Sequence, residues 1–121
     1  VDPQARLRLR RWAAVVLTTA AATAAAAEPA SEPDAPRQQQ LVRMVRQDCG
    51  SCHGMRLGGG LGPALTPQAL ADKPVDGLAA TIFHGRPGTP MPPWRAMLDE
   101  GEARWIAERL LTGFPELPAS R

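Results

Sequence analysis

The stretch that decides the fold is Asp48-Cys49-Gly50-Ser51-Cys52-His53-Gly54. Two thiols three residues apart can add to the two vinyl groups along one edge of a porphyrin. The imidazole that follows can then swing beneath the plane and bind iron. Gly50 and Ser51 are small enough to keep the backbone close to the ring. Cys-x-x-Cys-His is therefore the attachment sequence of a covalently bound haem, with Cys49 and Cys52 as thioether anchors and His53 as an axial iron ligand.

Three rival readings fit less well. A redox dithiol needs a βαβ setting, which the surrounding pattern lacks, and has no use for His53. Structural zinc needs four ligands, and Cys49, Cys52, His53 and His84 supply them only by using two adjacent residues. A disulfide across so short a loop would constrain very little chain.

On the N-terminal side of the motif, Arg37 to Asp48 reads as a helix. Leu41, Met44 and Val45 share one face, Arg43, Arg46 and Gln47 are placed to meet water, and Gly50 is expected to end it. Beyond the motif, residues 54 to 66 form a glycine-rich loop containing Gly58-Gly59-Gly60 and Gly62-Pro63. Thr66-Pro67 opens a short turn to about Ala71, a capping hydroxyl before a proline at the first helical position. Asp72 and Pro74 introduce a clearer helix. Its stripe is Val75, Leu78, Ala79, Ile82 and Phe83, and Gly85 stops it. A stiff loop follows through Pro87, Gly88, Pro90, Pro92 and Pro93 to Trp94. Asp99 and Glu102 resemble a capping box. The helix behind them buries Ala103, Ile106, Ala107, Leu110 and Leu111, with Trp105 on the border, and stops at Gly113 and Pro115. No segment alternates with period two. The expected class is all-α, with three main helices and long structured loops.

A haem held by His53 has a second axial position, and Met91 is the candidate for it. A thioether is a soft, neutral ligand, and Met/His ligation raises the reduction potential. Pro90 and Pro92 on either side fix its backbone before iron binds. Met44 reads as core filler, Met55 is too close to His53 to reach the opposite face, and Met97 lies beside the last helix. His84 is the strongest rival, although a histidine ending a helix is also a favourable C-terminal cap. Pro63 can offer a carbonyl to the second ring nitrogen of His53, since proline accepts without donating. Trp94 can pack at a haem edge or donate its indole N–H to a propionate, and ordinary core packing is an equal alternative.

Composition fits a cofactor-dependent domain. The chain has 121 residues, 13 prolines and 11 glycines, yet only three Trp, two Phe and no Tyr. A domain so short of large apolar side chains needs a staple or a buried cofactor to complete its core. Arg6, Arg8, Arg10 and Arg11 precede an apolar run from Trp12 to Ala22 and the small residues that end at Ala27. That is the pattern of a secretory signal, cleaved after Ala27. An uncleaved anchor would need roughly 20 predominantly apolar residues, and this run leans on Ala and Thr. Residues 1–27 are thus expected to be a signal peptide, 28–37 a Pro-rich linker, 38–114 the folded domain and 115–121 a C-terminal tail. Removing residues 1–27 leaves 10 basic and 11 acidic residues. With no basic stripe left, nucleic acid is not an expected partner.

Taken together, Cys49 to His53, Gly62-Pro63, Thr89-Pro90-Met91-Pro92-Pro93-Trp94 and the last helix resemble a class I cytochrome c over roughly Gln38 to Gly113. The resemblance implies the class I cytochrome c fold around one haem c, with His53 and Met91 axial and Pro63 accepting from His53. It also implies that the first and last helices cross beside the haem. Asp48 to Gly54, Pro63-Ala64-Leu65-Thr66-Pro67 and His84-Gly85-Arg86-Pro87-Gly88-Thr89-Pro90-Met91-Pro92-Pro93-Trp94 are similar to the cytochrome c55X family, small periplasmic proteins encoded with haem d1-containing nitrite reductase. That likeness implies a monomeric, non-enzymatic electron carrier in the periplasm. Its expected partners are that reductase or the enzymes that complete its d1 haem, with no membrane contact after cleavage. A haem enzyme or gas sensor with a displaceable sixth ligand is the alternative. Lys73 is the sole lysine, so any docking ring must use arginines such as Arg56, Arg86 and Arg95.

Overall fold

The computed structural model describes residues 31–117. The expected signal peptide, the first residues of the expected linker and the last four residues of the expected tail lie outside them. Among the described residues there are helices and loops but no strand.

Helix α1 spans Ala35–Met44, and its backbone continues through a π-helical turn at Val45–Cys49 into α2, Gly50–His53. It starts two residues before the expected Arg37, inside the stretch read as linker. Asp34 caps it by accepting from the Arg37 N–H at 2.8 Å, and Pro36 sits in the first turn, where an N–H has no helical partner. Gly50 does not end the helix as expected. Its backbone is right-handed and its N–H bonds to the Val45 carbonyl; the break falls at Gly54, whose φ is 88°.

Arg46 corrects the sequence reading more sharply. Placed in water by the helical pattern, it is 6% exposed. Its guanidinium donates to the carbonyls of Phe114 and Pro115 at 2.8–3.1 Å, pairs with Glu116 at 3.2 Å and lies over the Phe114 ring. A charge can be buried here because backbone acceptors replace its water. The start of the expected C-terminal tail is held against the π-helical turn that extends α1 as a result.

Helix α3 is the short turn Pro67–Leu70, capped by the Thr66 hydroxyl on the Ala69 N–H at 3.2 Å. Helix α4 covers Val75–His84, and α5 covers Glu100–Thr112. The capping box at the start of α5 is present in both directions: Glu102 N–H to Asp99 at 2.7 Å, and Asp99 N–H to Glu102 at 3.0 Å. Helices α4 and α5 pack along each other, and α3 touches α5.

The core joins Leu41, Val42 and Val45 of the first helical stretch to Ala103, Trp105, Ile106 and Leu110 of α5, closed by Leu57, Leu70 and Leu98. Leu41, Val45 and Ile106 are the largest fully buried side chains. Trp105 belongs inside rather than on the border: it is 5% exposed, and its indole N–H donates to Glu32 at 3.2 Å. Leu111, expected inside, is half-buried. No helix of the described residues is long and apolar enough to cross a membrane.

Candidate cofactor site

The Cys-x-x-Cys-His residues lie on the last turn of the continuous first helix. The Ser51 hydroxyl donates to the Asp48 carbonyl at 2.7 Å and holds that turn. Cys52 is exposed and Cys49 half-buried, both as free thiols. Burial, reinforced by the Asp48 carboxylate, pushes the Cys49 thiol up to about 11, so it stays protonated at neutral pH.

His53 is fixed by its surroundings. Its Nδ1 lies 2.7 Å from the Pro63 carbonyl oxygen. A proline carbonyl can only accept, so Nδ1 carries the proton and the Nε2 lone pair remains for a metal. Gly62 leaves room for the ring, because a Cβ there would fall 2.8 Å from His53 Cε1 and Nδ1. The glycine-rich loop is not loose. The N–H groups of Gly59 and Gly62 donate to the carbonyls of His53 and Cys52, each at 2.8 Å. Leu57, with φ of 59°, is 3% exposed and plugs the loop into the core. A leucine in that conformation costs on the order of 1–2 kcal/mol, an amount its burial can offset.

Met91 and Trp94 form a second group, on the loop after α4. Gly85, at φ 71°, lies so close to this loop that a Cβ would meet the Pro93 nitrogen at 2.7 Å and the Met91 oxygen at 2.9 Å. The Arg86 N–H donates to the Met91 carbonyl at 3.2 Å, closing residues 86–91 into a ring. Inside it, the Thr89 hydroxyl donates to the Arg86 carbonyl at 2.7 Å and accepts from the Met91 N–H at 3.3 Å. The loop returns to α4 through Trp94 N–H to the Ile82 carbonyl at 3.1 Å. Met91 is half-buried.

The structure thus gathers Cys49, Cys52, His53 and Pro63 at one place, and Met91 and Trp94 at another. Cys49 and Trp94 pack against the same hydrophobic core. Of the rival ligands, Met44 packs on the core, while Met55 and Met97 are 63% and 58% exposed. His84 meets Phe83 edge-on at 4.9 Å and lines a shallow depression with Asp76, Glu100 and Arg104. Gly62, Gly85 and Thr89 were not singled out as site residues. For the two glycines the available signal was a glycine beside each segment that carries an expected ligand.

Two features test whether haem fits. The α4 stripe expected to be buried, Val75, Leu78, Ala79, Ile82 and Phe83, contains no fully buried residue. The buried indole nitrogen of Trp94 has no hydrogen-bond partner among the described residues. A flat apolar body bearing carboxylates would cover such a face and take such an N–H. Among the described residues no cluster of three or more His, Cys, Asp or Glu side chains could hold a metal ion, which leaves zinc without a ligand set.

Comparison with known proteins gives a consistent picture. The family described as "Cytochrome C oxidase, cbb3-type, subunit III" matches residues 36–108. Cytochrome c55X of Pseudomonas aeruginosa is 54% identical over 102 residues, which is 84% of each protein. The solved c-type cytochrome NirC superposes with a TM-score of 0.67 at 58% identity, over 68% of this chain and 96% of that one. Dihydro-heme d1 dehydrogenase NirN in complex with DHE gives 0.53 at 32% identity; 64% of this chain matches 16% of that much longer protein.

Proposed function

The chain belongs to the class I c-type cytochromes, in the cytochrome c55X family, and from that membership we propose that it carries single electrons in the periplasm. One haem c would be bound through thioethers to Cys49 and Cys52. His53 and Met91 would be its axial ligands. The observation that supports this reading is the His53 Nδ1–Pro63 bond at 2.7 Å, which leaves the lone pair of the other nitrogen free for a metal.

When bound, the haem supplies a one-electron redox couple. The protein's own residues do the rest. Pro63 keeps the proton on Nδ1, and the closed 86–91 loop holds Met91 in one place, so neither ligand has to reorganise with each electron. Trp94 would donate its N–H to a propionate. If His53 and Met91 both hold the iron, a substrate would have to displace one of them to reach it.

We place the partners in the nitrite reductase system: haem d1-containing nitrite reductase or the enzymes that complete its d1 haem. The likeness to part of a dihydro-heme d1 dehydrogenase supports the second. Removing two hydrogens from a dihydro-macrocycle releases two protons to solvent and two electrons, which two copies of a one-electron carrier would accept. The domain limits follow as part of the proposal: a signal peptide to residue 27, a linker to 37, the cytochrome domain over 38–114 and a tail to 121.

The test is to export the full chain in a host with haem-attachment machinery. Intact mass should exceed the polypeptide by one haem, and the oxidised spectrum should contain the weak far-red Met–iron band. A bare polypeptide mass overturns the haem assignment. Haem without the band removes Met91 as a ligand, and rapid carbon monoxide binding to the reduced protein favours an open-site haem enzyme.

A further inference from the structure

The π-helical turn in front of the attachment motif decides which way the motif faces. Leu41, Val45, Cys49 and His53 follow one another at a spacing of four. Each residue of an α-helix turns about 100°, so a straight helix would put His53 roughly 120° round the axis from Leu41. It would turn Asp48 and Cys52 inward instead, each within about 20° of Leu41. A π-helical turn spends one extra residue and takes back about 100°. Its bond is present here: the Gly50 N–H reaches the Val45 carbonyl, five residues back. Leu41 and Val45 are fully buried, Cys49 packs against the same core, and Asp48 stays exposed.

Such a turn is rare because its hydrogen bonding is less favourable than that of an α-helix, and this one is held at both ends. Downstream, the Gly59 and Gly62 N–H groups donate to the carbonyls of His53 and Cys52. Inside the turn itself, Arg46 is buried and sends its guanidinium to a distant part of the chain. It donates to the Phe114 carbonyl at 2.8 Å and to the Pro115 carbonyl at 2.9 and 3.1 Å. All of these partners belong to the polypeptide, so the clasp exists before any cofactor is bound. A planar fork set on two carbonyls fixes the direction of the side chain as well as its depth.

We propose that Arg46 is a positioning residue for haem attachment. By gripping the Phe114 and Pro115 carbonyls it keeps the wide turn from tightening into α-helix. Tightening would swing the motif about 100° round the axis and take Cys49 and His53 off the side they share with Leu41 and Val45. The first residues of the C-terminal segment thus act on the haem site through the turn. At each anchor the S–H adds across a vinyl C=C: sulfur bonds to one carbon, hydrogen to the other, and nothing is oxidised or released. Both additions need both thiols presented to one porphyrin edge, and the turn sets that presentation. This deepens the haem c reading and rests on it.

The test exports four full chains in a host with haem-attachment machinery: wild type, Arg46→Met, a deletion of the exposed Gln47, and the two changes combined. Methionine fills the buried space without donating. Removing Gln47 takes the extra residue out of the turn, so a plain α-helix then presents the motif in the same direction. Intact mass reads whether haem is attached, and the pyridine complex absorbs further to the red when one vinyl group is left unreacted. Arg46→Met should lose haem-loaded chains and show the red-shifted band in those that remain. The Gln47 deletion should attach haem like wild type. The combined variant should regain two thioethers while its melting temperature stays low, because the clasp is still missing. Full attachment in Arg46→Met overturns the proposal, as does loss of attachment in the Gln47 deletion. A combined variant no better than Arg46→Met shows that the clasp is merely structural and overturns it too. A bare polypeptide mass for wild type overturns the haem c reading instead.

Discussion

Gly85 and Met91 are locked together by their backbones. A Cβ on Gly85 would sit 2.9 Å from the Met91 oxygen, and Gly85 itself adopts φ of 71°. The residue that ends α4 is thus also the seat of the proposed methionine ligand. Helix termination and ligand placement are one event here, and a change at Gly85 cannot alter one without the other.

Gly85→Ala is therefore expected to do two things. The unfavourable backbone and the collision should cost about 1–3 kcal/mol of stability. The displaced loop should also weaken or abolish the far-red Met–iron band. Denaturant titration and absorption spectra on the same sample check both. A variant of ordinary stability with an intact band would contradict the coupling.

On the other side, Gly62→Ala would place a methyl group 2.8 Å from the His53 ring. The ring or the loop must move, and the bond from Nδ1 to Pro63 should stretch or break. Losing that bond makes the imidazole a poorer donor to iron. The expected readouts are a shifted reduction potential and a changed imidazole N–H signal by NMR. An unmoved potential would show that the Pro63 contact does not tune the ligand.

Arg37 and Glu102 join the start of α1 to the start of α5. Nε donates to Oε1 at 2.5 Å and Nη2 to Oε2 at 3.0 Å, while Nη2 also reaches the Met97 carbonyl at 3.0 Å. The Arg37 side-chain hydrogen bond holds the Glu102 carboxyl below its ordinary value, outweighing partial burial. A carboxyl depressed in the folded state binds fewer protons there than when unfolded. Its contribution is complete above the unfolded value of about 4.3 and is lost as pH falls through the lower folded value. Glu102→Gln should cost about 1 kcal/mol at pH 7, a fall in Tm of about 4–8 °C. The gap to wild type should close under acid. A gap that stays constant from pH 7 to pH 2 would exclude this linkage.

The Cys49→Ala, Cys52→Ala double variant should carry no covalent haem and should be largely unfolded. The apolar stripe of α4 has no fully buried residue, and the indole N–H of Trp94 has no partner among the described residues. The polypeptide alone leaves these groups poorly satisfied. Circular dichroism measures the outcome directly. Native helicity in the haem-free variant would show that the polypeptide core suffices.

Much of this was legible along the chain. The helix boundaries at Thr66, Gly85, Asp99 and Gly113 follow from capping residues acting on their immediate neighbours, and such local chemistry survives in any tertiary context. The Trp105 and Arg46 assignments failed for the opposite reason. Nothing within a helical turn of Arg46 reveals that the carbonyls of Phe114 and Pro115, almost 70 residues away, will replace its water. Periodicity ranks side chains by polarity and has no information about distant acceptors. The end of the first helix was misplaced for a related reason. Both Gly50 and Gly54 can stop a helix, and which one does depends on Gly54 packing against the Gly59 carbonyl.

By itself, the sequence determined the helical class, the attachment motif and the ligand types available, because these depend on residue identity at fixed short spacing. Tertiary structure alone decided which nitrogen of His53 is left for a metal, how firmly the Met91 loop is clamped and where Arg46 goes. Each of those depends on a contact between segments whose separation along the chain carries no signal, and only the folded backbone brings them within hydrogen-bonding distance.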